Sequence, residues 1–200
     1  MRPVSPVVLT GRRLRLEPLS PAHEAGLRAI TDPQLYRYLP EYPEDFDAWF
    51  PAALASTDPL FFAAVVDGHA TGRASIMRID LPNGVAEIGN VLWGPDLRRT
   101  PAATEAVFLL TDYLFGLGAR RVEWKCNDRN EASKTTARRF GFTFEGVFRQ
   151  HMIVKGHNRD TAWFSLLDRE WPRRREAVEA WLDPGNFDTE GVQRRALERV

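Results

Sequence analysis

The 200-residue chain has a single cysteine, Cys126. One thiol closes no internal disulfide and assembles no thiolate zinc site. Histidine is also scarce. His23, His69, His151 and His157 lack the spacing of a metal centre, so no metal is expected. An excess of either charge is missing too: 27 Lys plus Arg offset 27 Asp plus Glu. Without a bulk basic field there is little to release counterions from a polyanion, and no nucleic-acid partner is expected. No apolar run approaches the roughly 18 residues of a membrane span. Met1–Pro6 lacks the apolar core of a secretion signal. These absences predict a soluble, reduced, cytoplasmic chain that engages no membrane. Glycine and proline stand at 14 each, near average usage, which excludes a collagen-like or low-complexity chain.

What is present suits a packed domain. Hydrophobic residues make up 44% and aromatics 11%, enough to bury a core. Leu14, Leu16 and Leu19 follow a Thr10-Gly11 turn and suggest a first strand. Ser20-Pro21 supplies an N-cap and an N1 proline for a helix reaching about Ile30. Pro33, Pro40, Pro43, Pro51 and Pro59 then break the chain among aromatics, leaving room for one short helix at 46–54. Runs at 60–66, 71–79 and 85–93, separated by Asp67-Gly68 and Asn83-Gly84, predict a three-stranded antiparallel meander.

The period then changes. Ala103, Ala106, Val107, Leu110, Leu114 and Leu117 recur at helical spacing over 101–117. A strand at 121–126, a helix at 130–140 closed by Gly141, strands at 142–153 and 161–167, and a helix at 171–182 follow. The last eighteen residues are polar and are expected to fray or to pack on a neighbour. The fold class is α+β, or mixed α/β: a central, mostly antiparallel twisted sheet flanked by helices. Its one parallel, splayed strand pair comes from a right-handed crossover over 85–126.

Two strand-to-helix junctions carry the chemistry. At Trp93-Gly94-Pro95-Asp96-Leu97-Arg98-Arg99-Thr100-Pro101, a strand ends, two arginines follow and a helix opens on small residues. Free N–H groups at a helix start and adjacent guanidinium groups make a ready anion site. The alternative is a solvated basic turn. The second junction puts Asn130 and Ser133 at the opening of the next helix, where either could simply cap it.

Taken together, these stretches resemble the GCN5-related N-acetyltransferases (the GNAT family), and within them the branch of ribosomal-protein N-terminal acetyltransferases. Arg98 and Ala103 match the family's cofactor motif, and Asn130-Glu131-Ala132-Ser133 with Phe140-Gly141-Phe142 resembles a later one. Glu145 to Arg149, Asp160 and Trp163 to Trp171 resemble the branch as well. The resemblance covers residues 9–172, the expected acyltransferase domain, with 173–200 as a C-terminal helix and tail. Pro101 departs from the family's usual glycine and has no N–H to offer.

The resemblance implies acetyl-CoA as cosubstrate and a primary amine as acceptor, either a protein N-terminus or a small amine. It implies cofactor contacts at Val91, Trp93, Arg98, Arg99, Thr100, Ala102, Ala103, Thr104, Asn130 and Ser133. Backbone N–H groups over 91–93 would polarise the thioester carbonyl. Glu87 is the first candidate for general base, with Asp160 and Glu123 behind it, and Ser133 is a candidate acid for the leaving sulfur. Cys126 alternates with Val122 and Trp124 on an apolar face and reads as a core thiol. His151 and His157 flank the last hairpin and could line the acceptor mouth. The acidic, aromatic segment 36–49 could hold a cationic acceptor. Transfer to a small amine, transfer of a larger acyl group such as succinyl, and a non-catalytic acyl-CoA-binding module remain open, as do monomer and dimer.

Overall fold

A computed structural model describes residues 1–197. Eight strands form one sheet: β1 (Leu9–Thr10), β2 (Arg15–Pro18), β3 (Leu60–Val66), β4 (His69–Asp80), β5 (Val85–Trp93), β6 (Arg121–Asn127), β7 (Thr143–Val154) and β8 (His157–Leu167). Their spatial order is β1-β2-β3-β4-β5-β6-β8-β7. Every pairing is antiparallel except β5 with β6. The helices are α1 (Glu24–Arg28), α2 (Phe46–Ala55), α3 (Pro101–Gly116), α4 (Glu131–Arg139) and α5 (Trp171–Leu182). The meander, the crossover and the splayed pair are as expected. The first helix is shorter, because a 3-10 turn at Pro21–His23 takes up its start.

β3 reads as the unbroken apolar run LFFAAVV because both faces of the sheet are covered. Phe62 and Ala64 join the larger core with α3, while Ala63 and Val65 join a second core with Leu27, Tyr36 and Phe50. α3 forms the β5–β6 crossover and buries Ala106, Leu110 and Leu114. Beyond the α4 C-cap Phe140, the turn is closed by Gly141, whose φ of 86° is costly for any residue with a side chain.

β8 begins at His157 rather than at residue 161. Lys155 and Gly156, with φ of 52° and 73°, make a two-residue turn that pairs the strands to the hairpin tip. The C-terminal stretch is also folded more firmly than composition suggests. Trp181 Nε1 donates to Gln193 Oε1 at 2.9 Å, Phe187 stacks edge-on to Trp181 and Leu197 is buried. Residues 183–197 thus pack on their own chain. The rest of the expected tail, 198–200, lies outside the described residues.

The proline-broken segment is tied down from several sides. Arg73, on β4, is almost fully buried, pairs with Glu41 and lies 4.0 Å over the Trp49 ring. It also donates to the Asn90 carbonyl at 3.4 Å. Lys155 donates to the Tyr36 carbonyl at 2.9 Å, and the Tyr38 hydroxyl donates to the Arg129 carbonyl at 3.0 Å. Asp47 pairs with Arg28, and Asp45 accepts the Tyr42 N–H. Most of the segment's acids are therefore engaged within the fold, which weakens the case for a cationic acceptor there.

Three strands are cross-linked at the far edge. Arg121 of β6 donates twice to Glu145 of β7, at 2.7 and 2.6 Å, and Ser165 of β8 donates to the same carboxylate at 2.6 Å. These donors hold the Glu145 pKa at about 2, below its ordinary 4.5. A depressed carboxylate pKa contributes stability above the ordinary value and loses it as pH falls through the folded one. Glu145 is partly exposed, so its ion pair is worth about 1 kcal/mol at most. Glu145→Gln should lower the thermal midpoint by up to about 2–4 °C at pH 7. The gap to wild type should close between pH 4.5 and 2, as calorimetry across that range would show. A gap independent of pH would exclude the electrostatic account.

Candidate active site

β5 and β6 pair only from Val85 with Arg121 to Ile88 with Trp124, and then diverge. On its other side, β5 carries one extra residue where the register with β4 shifts, from Ser75–Gly89 to Arg73–Leu92. Asn90 takes this bulge with φ of 52°, a conformation asparagine tolerates better than most residues. A fork and a bulge therefore coincide on one strand. Bulged residues leave the ladder, so the Asn90 carbonyl meets the Arg73 side chain at 3.4 Å and Val91 has no partner in the β4 register.

Two cavities adjoin this region, and the first turns of α4 contribute to both. The first, about 230 Å³, has Glu87, Val91, Lys125, Asn130, Ser133 and Arg159 in its walls. The second, about 700 Å³, is bounded by Trp93, Arg99, Thr104, Arg139, Trp181 and Phe187, together with Thr100, Pro101 and Ala103. The expected residues thus divide. Glu87, Val91, Asn130 and Ser133 share one cavity; Trp93, Arg99, Thr100, Ala103 and Thr104 share the other. Arg98 is exposed and lines neither, and Ala102 is buried in the core.

In the first cavity, Glu87 is buried, with Oε2 2.9 Å from Lys125 Nζ and 3.3 Å from Arg78 Nε. Burial raises the Glu87 pKa, and the two cations only partly offset this. Lys125 is shared with Glu123 at 2.8 Å and lies 3.7 Å over the Trp163 ring. The other two carboxylates considered as bases stand elsewhere. Glu123 is held by Arg121 and Lys125, and Asp160 accepts from the Gln150 N–H and the Asn158 amide on the exposed hairpin. Neither lines the cavity.

Ser133 Oγ accepts from the Trp124 indole at 2.9 Å, which fixes the oxygen while the hydroxyl proton remains available to donate. Asn130 caps α4 by accepting from the Ser133 N–H at 3.1 Å. Cys126 is buried as expected but also reaches the cavity wall. Burial pushes its thiol pKa up, and a protonated thiol is a poor nucleophile. His151 lines the same cavity, with Nδ1 3.0 Å from Thr161 Oγ1, whereas His157 does not.

In the second cavity, the start of α3 offers fewer donors than a glycine-rich turn would. Pro101 has no N–H, and the Ala103 N–H is taken by the Thr100 side chain at 3.2 Å. Cations make up the difference: Arg99 stands on one wall, and Arg139 from α4 on another. Arg139 Nη1 lies 3.1 Å from Thr104 Oγ1, and its guanidinium sits 4.4 Å over the Trp181 ring. The sequence pattern marked Arg99 but not Arg139, Trp181, Phe187 or Gln193. The last three come from a terminal stretch that carries no motif.

The donor set suits a long cosubstrate with phosphates at one end and an acylated sulfur at the other. Two guanidinium groups and a helix N-terminus answer the phosphates. Trp181 and Phe187 offer apolar faces, and the fork with its bulge offers backbone groups.

Comparison with known proteins agrees. The acetyltransferase (GNAT) domain model matches residues 13–143. A crystal structure of a GCN5-related N-acetyltransferase from Brucella melitensis is 48% identical, with a TM-score of 0.94 over 98% of this chain and 95% of that one. YdaF of Bacillus subtilis (strain 168), provisionally named a ribosomal N-acetyltransferase, is 34% identical over 106 residues. That match takes in 52% of this chain and only 57% of YdaF. RimL, a ribosomal L7/L12 alpha-N-protein acetyltransferase solved with coenzyme A, shares the fold at 18% identity and a TM-score of 0.69, over 80% of this chain and 98% of that one. The chain belongs to the GNAT acetyltransferase family.

Proposed function

We propose that the protein transfers an acetyl group from acetyl-CoA to a primary amine, by direct attack of the amine in the first cavity. The observation that carries this is the coincidence of fork and bulge on β5, with one cavity carrying cations and aromatic rings and the other holding a buried carboxylate. Acetyl-CoA supplies an acyl carbon already activated as a thioester. Arg99 and Arg139 hold the phosphates. Backbone N–H groups at Asn90 and Val91 polarise the thioester carbonyl. Holding the two reactants together supplies much of the acceleration.

The amine must lose a proton, since amines of ordinary pKa are mostly charged at pH 7. Glu87 takes that proton, and its raised pKa brings it nearer the working pH. Arg78 and Lys125 help in a second way, because nearby positive charge disfavours an ammonium ion. Ser133, its oxygen fixed by Trp124, passes its hydroxyl proton to the departing sulfur and regains one from the nitrogen, which sheds its second proton as the amide forms. Cys126 stays a thiol and forms no acyl-enzyme. The names of YdaF and RimL favour a protein N-terminus as acceptor.

Acetyl-CoA should raise the thermal midpoint in a saturable way, as a ligand of the native state must. Thioester loss should follow when peptide or small amines are added. No shift at millimolar acetyl-CoA would overturn the assignment. A shift without turnover across a broad amine panel would leave a binding module instead.

A further inference from the structure

The acceptor cavity carries more positive than negative charge. Arg78, Lys125 and Arg159 line it, against one carboxylate, Glu87. Two of these cations are engaged: Lys125 between Glu87 and Glu123, and Arg78 at Glu87. Arg159 is different. It joins no ion pair among the described residues, and its Nε is buried without a hydrogen-bond partner. Such an orphaned donor costs free energy unless something arrives to accept from it. Desolvation pulls the Arg159 pKa down, which is the same cost seen from the proton's side.

The position of Arg159 gives that cost a use. β8 places it in the wall shared with Glu87 and Ser133, so whatever binds there sits beside the reacting amine. The same cavity is also lined by apolar Leu35, Leu39 and Met77. A guanidinium fork beside an apolar wall fits a carboxylate on a short carbon skeleton.

We infer that the acceptor is an amine that carries a carboxylate near its reacting nitrogen, and that Arg159 recognises the carboxylate. The inference rests on the acetyl-transfer reading and narrows its substrate class. An acidic side chain next to a peptide N-terminus and a small amino acid both supply this chemistry.

Matched acceptors separate charge from shape. The small pair is 4-aminobutyrate with 4-aminobutyramide, and the peptide pair is Ala-Glu-Ala amide with Ala-Gln-Ala amide. In wild type, the acid of at least one pair should exceed its neutral partner in kcat/KM by tenfold or more, and the preference should shrink as salt rises. Which pair shows it identifies the source. Arg159→Met should bring the ratio to near one, and Arg159→Lys should keep part of it. The acetyl-CoA thermal shift reports whether each variant is folded. A wild-type ratio near one in both pairs overturns the inference, as does an unchanged ratio in Arg159→Met. Turnover of the neutral acceptors alone would leave acetyl transfer standing while the acidic acceptor falls. If nothing turns over, titration of each pair into the CoA-bound protein reads the same ratio as affinity. A carboxylate preference there that Arg159→Met abolishes supports Arg159, and its absence overturns it.

Discussion

Glu87→Gln should lower kcat by about 10²–10⁴, the usual range for loss of a positioned acid–base group. The amide keeps the shape of the carboxylate but cannot accept the amine's proton. The pH profile is the sharper readout. In wild type, kcat/KM should fall as pH drops through an apparent pKa above the ordinary carboxylate range, because burial raises Glu87. That limb should vanish in the glutamine variant while acetyl-CoA affinity holds. A variant that keeps both rate and limb would move the base elsewhere, with His151 the next group in the cavity wall.

Arg99→Ala combined with Arg139→Gln should weaken CoA binding by about 10²–10⁴. Each lost charge-assisted contact is worth roughly 1.5–3 kcal/mol. Pro101 makes the dependence on side chains acute, since the helix start has given up one donor and spends another on its own cap. Arg98→Ala serves as the contrast, because Arg98 lines neither cavity, and its affinity should stay within a few-fold of wild type. Calorimetric titration at one fixed salt concentration decides the matter. Loss in Arg98→Ala equal to that in the double variant would return the phosphates to the solvent side of the turn.

Much of this architecture was legible because local chemistry and global fold agree. Asp67-Gly68 and Asn83-Gly84 mark the meander turns, and the switch from alternation to helical spacing after Pro95 marks the crossover. Val91, Asn130 and Ser133 came from the family resemblance and Glu87 from its strand, and it is the fold that puts the four around one cavity. Other features hid for physical reasons. β1 is two residues long, below any periodic signal. Arg98 and Arg99 are equivalent in sequence, but the turn gives Arg99 a φ of 63° and only Arg99 reaches the cavity. Arg159 alternates like any strand residue, and its lack of an ion-pair partner among the described residues is a property of packing. Gly89-Asn90 inside an apolar strand was the one local hint of the bulge, since both residue types are uncommon in strand interiors.

Arg73 has a consequence for how this site can diverge. One buried guanidinium serves both Glu41, on the cavity's proline-broken flank, and the Asn90 carbonyl at the bulge. Breaking such a pair from one side strands a charge, at about 3–5 kcal/mol. Leu35, Tyr38 and Leu39 reach the cavity without carrying that charge. Acceptor preference is therefore free to drift through these three positions, one substitution at a time. Residues 41 and 73 can change only together, so the bulged backbone is inherited intact while the pocket beside it is remodelled.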